Sequence, residues 1–197
     1  MLQSLCLTFF KGEKTEEEIQ MTEAKQSFLK RKNIEFTAKR YFQDALSAMA
    51  LGLFASLLIG LIIQTIGEQT AVLFGTNSIS DFLIDTGSTA GEFMGAAVGT
   101  AVAWGLKAPL LVLFTSAVTG MMGATLGGPA GAFLAAALGA EFGKAVSKET
   151  KVDILVTPAV TLLMGALCAM IVGPLVDKLM TGLGKVIMAA TEWQPFL

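Results

Sequence analysis

The stretch that decides the fold is ALSAMALGLFASLLIGLIIQTI, residues 45–66. None of its 22 residues is charged. A helix rises about 1.5 Å per residue, so this stretch reaches roughly 33 Å, enough to cross a hydrocarbon layer of about 30 Å. Residues 45–66 therefore predict a transmembrane helix.

Further apolar stretches follow along the chain, at residues 88–106, 108–126, 130–146 and 154–176. They are continuous, which indicates helices, because the strands of a membrane barrel alternate apolar and polar side chains. Residues 177–197 are weakly amphipathic and would begin a sixth span. Only 15% of residues are charged, against roughly 25% in soluble domains. The chain is thus predicted to be an all-α, polytopic membrane helix bundle of five to six transmembrane helices.

The charges are concentrated near the start of the chain. Residues 1–43 predict a charged cytoplasmic leader, and residues 44–197 the transmembrane domain. Short cytoplasmic loops are enriched in Lys and Arg. With the N-terminus inside, alternating spans place twelve Lys and Arg on the inner side and two on the outer side. We therefore predict a multi-pass protein with a cytoplasmic N-terminus, and an outer loop at residues 68–87, which contain no Lys or Arg.

The leader leaves two alternatives open. Residues 16–18 are three glutamates shortly before Met21, and a purine-rich coding run there would resemble a ribosome-binding site. Translation from Met21 is therefore a hypothesis, in which residues 1–20 are absent from the mature protein. Residues 22–42 mix cations with apolar side chains, which fits either a helix on the inner membrane surface or a solvated leader.

The composition excludes several kinds of active site. The chain has no His, which excludes a His general base, a phosphohistidine and any His-based metal site within it. Cys6 and Cys168 stand far apart and form no CxxC pair. The sequence also lacks a nucleophile–base pair and a P-loop, and its net charge of −2 gives no indication of nucleic-acid binding. We therefore predict no catalytic residue, no metal and no cofactor.

Glycines at four-residue spacing indicate close helix packing. Small residues in this pattern let helix backbones approach each other in lipid, where no hydrophobic force drives helices together. The predicted helix-packing residues are Gly91, Gly95, Gly99, Gly139 and Gly143.

A different glycine motif, Gly127-Gly128-Pro129, separates two apolar stretches. It fits either a tight outer turn between two spans or a re-entrant break that lines a cavity, where freed backbone groups can bind a solute. We therefore include all three residues among the candidate substrate-binding residues.

Two acidic residues and one threonine supply the other candidates for the substrate site. Carboxylates in the hydrocarbon layer are costly and usually face a cavity or a partner. Glu141 has an i,i+3 partner in Lys144, whereas Glu92 has no cation on its own helix, which favours a functional role for Glu92. Asp85 and Thr86 lie near the outer mouth, where they would contact the solute or simply be solvated.

Three stretches carry a family resemblance: DTGSTAGEFMG at 85–95, GGPAGAF at 127–133 and KVDILVTP at 151–158. From about residue 22 onward, the chain resembles the membrane-spanning IIC subunits of the bacterial phosphoenolpyruvate-dependent sugar phosphotransferase system, and most closely its stand-alone IIC-like branch.

The resemblance implies a permease for a sugar in the bacterial cytoplasmic (inner) membrane, working with separate IIA and IIB proteins. It also implies that this chain is only the membrane component, because the family's phosphorylated groups have no counterpart in it. The His or Glu motif of the glucose-type branch is absent. Family members are longer, so we expect the transmembrane domain to be incomplete at its C-terminus. Such a chain would either lack the substrate site or rebuild it as a homodimer.

The residues leave three functional hypotheses. The first is the membrane permease part of a sugar phosphotransferase-like system. The second is a membrane regulator or scaffold that transports nothing. The third is a permease for another small solute, driven by protonation of Glu92.

Overall fold

The computed structural model describes residues 32, 34, 37–149 and 151–193, with backbone alone at 190, 192 and 193. Contacts divide the chain into Met1–Glu35 and Phe36–Leu197, and the helices of the described residues all belong to the second unit. Most of the predicted leader, including the Met21 start, lies outside the described residues. The surface-helix hypothesis for residues 22–42 falls largely outside them as well.

Every regular element in the described part of the chain is a helix, which confirms the all-α prediction. The five helices are α1 Lys39–Phe74, α2 Ser78–Glu92, α3 Met94–Gly105, α4 Leu110–Val146 and α5 Asp153–Trp193. Three of them, α1, α4 and α5, are long and apolar enough to cross a membrane, and α3 is a shorter apolar helix.

The predicted number of five to six spans is not confirmed by helix length. One reason is that the predicted span at 88–106 is split at Phe93, where φ −79° and ψ 8° end α2. The other is that neighbouring predicted stretches share one helix: 108–126 and 130–146 are both parts of α4, and 154–176 and 177–193 are both parts of α5, so the predicted start of a sixth span only continues the fifth.

The predicted outer loop at residues 68–87 is wrong in extent. α1 continues to Phe74 and α2 begins at Ser78, which leaves only a short turn. The reason is a capping box: Asn77 Oδ1 accepts from the backbone N–H of Ser80 at 3.0 Å, and the Ser80 hydroxyl accepts from the backbone N–H of Asn77 at 3.0 Å. This reciprocal capping starts a helix among polar residues, and the hydropathy of the sequence gives no indication of that start.

α4 is a helical hairpin with its turn at Gly127 and Gly128. The backbone is non-helical at both residues, and Gly128 has φ 59°, a left-handed conformation that glycine adopts without steric cost. Residues 110–126 and 129–146 pack against each other in antiparallel fashion, because Val112 contacts the position of Gly143 and Gly123 meets the carbonyl of Gly131. The chain therefore reverses direction at this motif.

Successive segments of the chain pack in antiparallel fashion, with α2 and α3 together forming the segment that returns along α1. The first part of α1 packs on α3 and its last part on α2; α3 packs on α4, and α4 packs on α5. This order brings the start of α1, the end of α3 and the end of α4 to one end of the bundle. We call it the cationic end, after its basic residues Arg40, Lys107, Lys144, Lys148 and Lys151.

Glycines lie where these helices touch. A Cβ on Gly99 would overlap the carbonyl oxygen of Ser116 in α4, and one on Gly95 would lie 2.6 Å from the Ala124 Cβ. Gly139 and Gly143 face Thr161 of α5 in the same way.

Gly91 differs from these four glycines. Its backbone nitrogen lies close to Gly60 of α1, but its own Cβ position has no heavy atom within 4 Å.

We predict that Gly99→Ala lowers the free energy of unfolding by about 1–3 kcal/mol, because the added methyl group overlaps the Ser116 carbonyl. The measurement is reversible denaturation in detergent micelles. Gly91→Ala, in the same glycine ladder, is the matched control and should change the value by less than about 1 kcal/mol. Equal effects of the two substitutions would contradict the packing assignment.

Candidate functional site

The predicted substrate-binding motif Gly127-Gly128-Pro129 lies at the tip of the α4 hairpin, between α1 and α5. A Cβ on Gly127 would lie 3.0 Å from the carbonyl oxygen of Gly173, so the backbones of α4 and α5 nearly touch there. Gly128 faces open space, and Pro129 is exposed. Pro129 also lines an apolar groove of about 390 Å³, whose other wall is residues 50–61 of α1.

The helices around this tip depart from regular α-helix at about the same level. α1 contains two π-helical stretches, one at its start, Lys39–Ala45, and one at this level, Phe54–Leu58, and α2 is separated from α3 at Phe93. The Ser56 hydroxyl donates to the carbonyl oxygen of Ala90, which places the π-helical stretch beside the end of α2. α5 carries Pro174 in its interior, one residue after the contact with the tip. We call this level the break layer, defined by residues 54–58, 90–93, 127–129 and 173–174.

Glu92 lies in the break layer. Gly95 of α3 faces Ala124 of α4, and the two helices are antiparallel, so Glu92 and Gly127, each three residues further on, reach the same level. The Glu92 side chain is exposed, and no ion pair to it is present among the residues that the structure describes. The structure therefore brings the predicted acid and the predicted turn to one level of the bundle.

Asp85 and Thr86 lie away from the break layer. Both side chains are exposed on α2, and the Thr86 hydroxyl donates to the carbonyl oxygen of Phe82 at 2.7 Å. Asp85 precedes Glu92 by seven residues, which is about 10 Å along a helix. These two residues are placed towards the turn between α1 and α2, not beside Gly127.

A buried charged cluster at the cationic end was not foreseen as a unit. Arg40 Nη2 and Lys144 Nζ both donate to the carbonyl oxygen of Leu106, at 3.0 and 3.2 Å. Lys144 Nζ also lies 2.8 Å from Glu141 Oε1. The exposed fraction is 5% for Arg40, 1% for Lys144 and 6% for Glu141, so all three charges are withdrawn from solvent. The phenol of Tyr41 lies beside the Glu141 carboxylate.

This cluster ties three helices together. Leu106 follows the last residue of α3, where carbonyl groups have no partner within the helix. Arg40 comes from α1 and Lys144 from α4, and their shared acceptor joins the ends of all three helices. The Glu141–Lys144 pair is the i,i+3 pair expected from the sequence. No sequence spacing could indicate the contact of Arg40, because 66 residues separate it from Leu106.

The Asp153 carboxylate stabilises the start of α5. Asp153 Oδ1 accepts from the backbone N–H of Lys148 at 2.7 Å and from the Thr157 hydroxyl at 2.5 Å. The first contact closes the turn between α4 and α5, and the second stabilises the first turn of α5. Within the described ranges, no group of three or more acidic or cysteine side chains that could hold a metal ion is present.

The family model described as "Phosphotransferase system, EIIC" matches residues 43–197. The chain belongs to this family. No curated protein and no solved structure matches the chain. EIIC domains are membrane components that work with IIA and IIB components of the phosphotransferase system, and the long apolar helices agree with a multi-pass membrane protein.

The EIIC match extends from within α1 to the end of the chain. It therefore includes the break layer and all of the charged cluster except Arg40 and Tyr41. The three stretches that carried the resemblance fall at three structural breaks. Residues 85–95 cross the break between α2 and α3, residues 127–133 form the tip of the α4 hairpin, and residues 151–158 begin α5.

We predict that Lys144→Met lowers the free energy of unfolding by about 3–5 kcal/mol, because it leaves Glu141 buried without its cation. Replacing both partners, as Glu141→Leu with Lys144→Met, should recover most of that loss. The exposed Lys148→Met is the control and should stay within about 0.5 kcal/mol of the original protein. Denaturation in micelles measures all three, and additive losses in the double variant would refute the pairing.

Proposed function

We propose that this EIIC-family chain is the membrane permease component of a sugar phosphotransferase-like system and moves a sugar or related small solute across the cytoplasmic membrane. The observation that carries the proposal is the family match over residues 43–197, on a chain whose long helices are apolar enough to span a bilayer. Such a component needs IIA and IIB proteins as partners, because no His and no reactive phosphoryl-carrying motif is present in the sequence.

For the topology, we propose five to six crossings with the N-terminus in the cytoplasm, residues 1–43 as the cytoplasmic leader and residues 44–197 as the transmembrane domain. Support comes from the cationic end, where basic residues of α1, of the turn after α3 and of α4 lie together, as the positive-inside rule requires of one membrane face. Residues 110–126 and 129–146 would each cross once, since 17 or 18 helical residues reach roughly 26 Å.

The proposed solute site is the break layer. Gly127, Gly128 and Pro129 end one helix and begin another, and such breaks free backbone N–H and carbonyl groups that can bind hydroxyl groups of a solute. Glu92 at the same level supplies a carboxylate, a strong hydrogen-bond acceptor for sugar hydroxyls. Asp85 and Thr86 lie about two helical turns from Glu92 and would line the path from the outer side of the membrane to the site.

We further propose that the chain works as a homodimer. Glu92 and Pro129 are both exposed in the single chain, so a second copy packed at this level would close the site from lipid.

Uptake in membrane vesicles tests the permease function directly. The experiment supplies radiolabelled sugars and sugar alcohols to vesicles that contain the protein with purified IIA and IIB partners and phosphoenolpyruvate. We expect accumulation of one solute class as its phosphate, and at least tenfold less accumulation when IIB is left out. Absence of uptake for every solute tested, with the full-length gene product, would leave the regulator or scaffold hypothesis.

Glu92→Gln separates the proposed role of Glu92 from the alternative of proton-driven transport. If Glu92 binds the solute, the variant should reduce uptake roughly tenfold at every pH between 5.5 and 8, because a charge-assisted hydrogen bond is lost. Glu68→Gln, an exposed acid on α1, is the control and should keep normal uptake. Uptake that follows an imposed proton gradient without IIB, and loses that dependence in Glu92→Gln, would instead support a proton-driven permease.

A further inference from the structure

An amphipathic groove opens where α1 leaves the cationic end and crosses α3. It has a volume of about 820 Å³. Its polar wall comes from Gln43, Asp44 and Ser47 of α1, and Lys107 lies on the opposite rim. Trp104 and Leu51 provide an apolar surface and are 65% and 62% exposed.

The backbones of α1 and α3 touch at the floor of this groove. A Cβ on Gly105 would lie 2.9 Å from the carbonyl oxygen of Asp44 and 2.8 Å from the Cβ of Ala48. The rim beyond Gly105 is set by Lys107, whose φ of 54° places it in a left-handed turn that ends α3. The groove is therefore built from the first turns of α1, which are π-helical at Lys39–Ala45, from the end of α3 and from the tight turn that follows it.

Two opposite charges lie on the groove rim without pairing. Asp44 and Lys107 are both exposed, and in the part of the chain that the structure describes neither forms an ion pair with the other or with a third residue. An occupant that carries a cation and an anion a short distance apart can contact both charges at once. An occupant with only a negative charge would contact Lys107 but be repelled by Asp44.

The position of the groove along the bundle narrows the class of occupant. Asp44 directly precedes the charge-free stretch 45–66, and Lys107 directly follows the apolar α3. In the topology proposed above, the groove thus lies where polar headgroups meet hydrocarbon, and an exposed Trp at this depth is typical of the interfacial aromatic belt. Leu51 lies about two helical turns after Asp44 on α1 and extends the apolar surface in the direction of the acyl chains.

We propose that this groove is a specific site for a zwitterionic phospholipid headgroup with a primary amine, as in phosphatidylethanolamine. The Lys107 ammonium binds the phosphate, and the Asp44 carboxylate accepts hydrogen bonds from the lipid ammonium. Gln43 and Ser47 offer further hydrogen-bonding groups beside Asp44, and Trp104 packs against the glycerol and upper acyl region. Phosphatidylcholine has no N–H to donate, so it satisfies only the Lys107 half of the site.

Fluorescence quenching of Trp104 tests this site without any transport measurement. The chain has two Trp residues, so Trp193→Phe leaves Trp104 as the sole Trp reporter. The protein is reconstituted into vesicles of dioleoyl phosphatidylcholine that contain a fixed fraction of phosphatidylethanolamine brominated on its upper acyl chain. Reciprocal vesicles carry the bromine on phosphatidylcholine, and a third set carries it on phosphatidylglycerol.

We expect brominated phosphatidylethanolamine to occupy the site next to Trp104 roughly threefold more than either other lipid at equal mole fraction, a preference typical of one or two exposed charge contacts. Equal quenching by all three lipids would overturn the proposal, and so would a preference for phosphatidylglycerol. This comparison needs no change in the groove itself, so a failure of variants to fold does not affect it.

Variants then assign the binding to the two charges. Asp44→Asn, in the Trp193→Phe background, should reduce the preference over phosphatidylcholine to about one, because only the Asp44 carboxylate distinguishes the two lipid ammonium groups. Lys107→Gln in the same background removes the contact with the phosphate that all three lipids share, so it should lower quenching by each of them while the preference over phosphatidylcholine persists. Lys148→Gln is the matched control, an exposed cation at the same end that does not line the groove, and it should keep the preference. A preference over phosphatidylcholine that survives Asp44→Asn, or quenching that Lys107→Gln leaves unchanged, would overturn the assignment to this site.

Discussion

The fold depends on how closely helix backbones can approach each other without a hydrophobic force between them. Lipid is as apolar as the helices, so association requires dense packing between small residues. Glycine supplies this at successive interfaces: Gly52 between α1 and α3, Gly99 between α3 and α4, and Gly139 between α4 and α5. The segment made of α2 and α3 returns along α1, and the two halves of α4 and then α5 follow, so the bundle is built from consecutive antiparallel segments.

Glycine also creates the irregular level on which the proposed site rests. At Gly127 and Gly128 the absence of a side chain permits the close contact with Gly173 and the left-handed turn that reverses α4. The same turn removes two residues from regular helical hydrogen bonding and leaves two helix ends in the break layer. The substrate proposal and the packing of the hairpin therefore have a common origin, and a larger residue at Gly127 would disturb both.

Sequence patterns could predict features that are local or periodic. The apolar stretches located the long helices, and the i,i+3 spacing located the Glu141–Lys144 pair. The helix that continues to Phe74 and the early start of α2 were missed, because capping by Asn77 acts through side-chain geometry and leaves no mark on hydropathy. Arg40 was missed for another reason: its acceptor is a backbone carbonyl 66 residues away, and any residue type at 106 offers the same carbonyl.

The two ends of the bundle differ in how firmly they are joined. At the cationic end, the Leu106 carbonyl holds α1, α3 and α4 together through buried charges that are costly to separate. Beyond the break layer, the last part of α1 packs mainly on α2, and α4 has already turned back. A bend at the break layer would thus disturb few interhelical contacts, and the π-helical stretch and Phe93 already interrupt the regular hydrogen bonding of α1 and of the α2–α3 segment there. If the break layer is the solute site, as proposed, the motion that admits a solute is therefore least costly at the level where Glu92 and the α4 turn lie, while the charged cluster joins the ends of α1, α3 and α4 at the other end of the bundle.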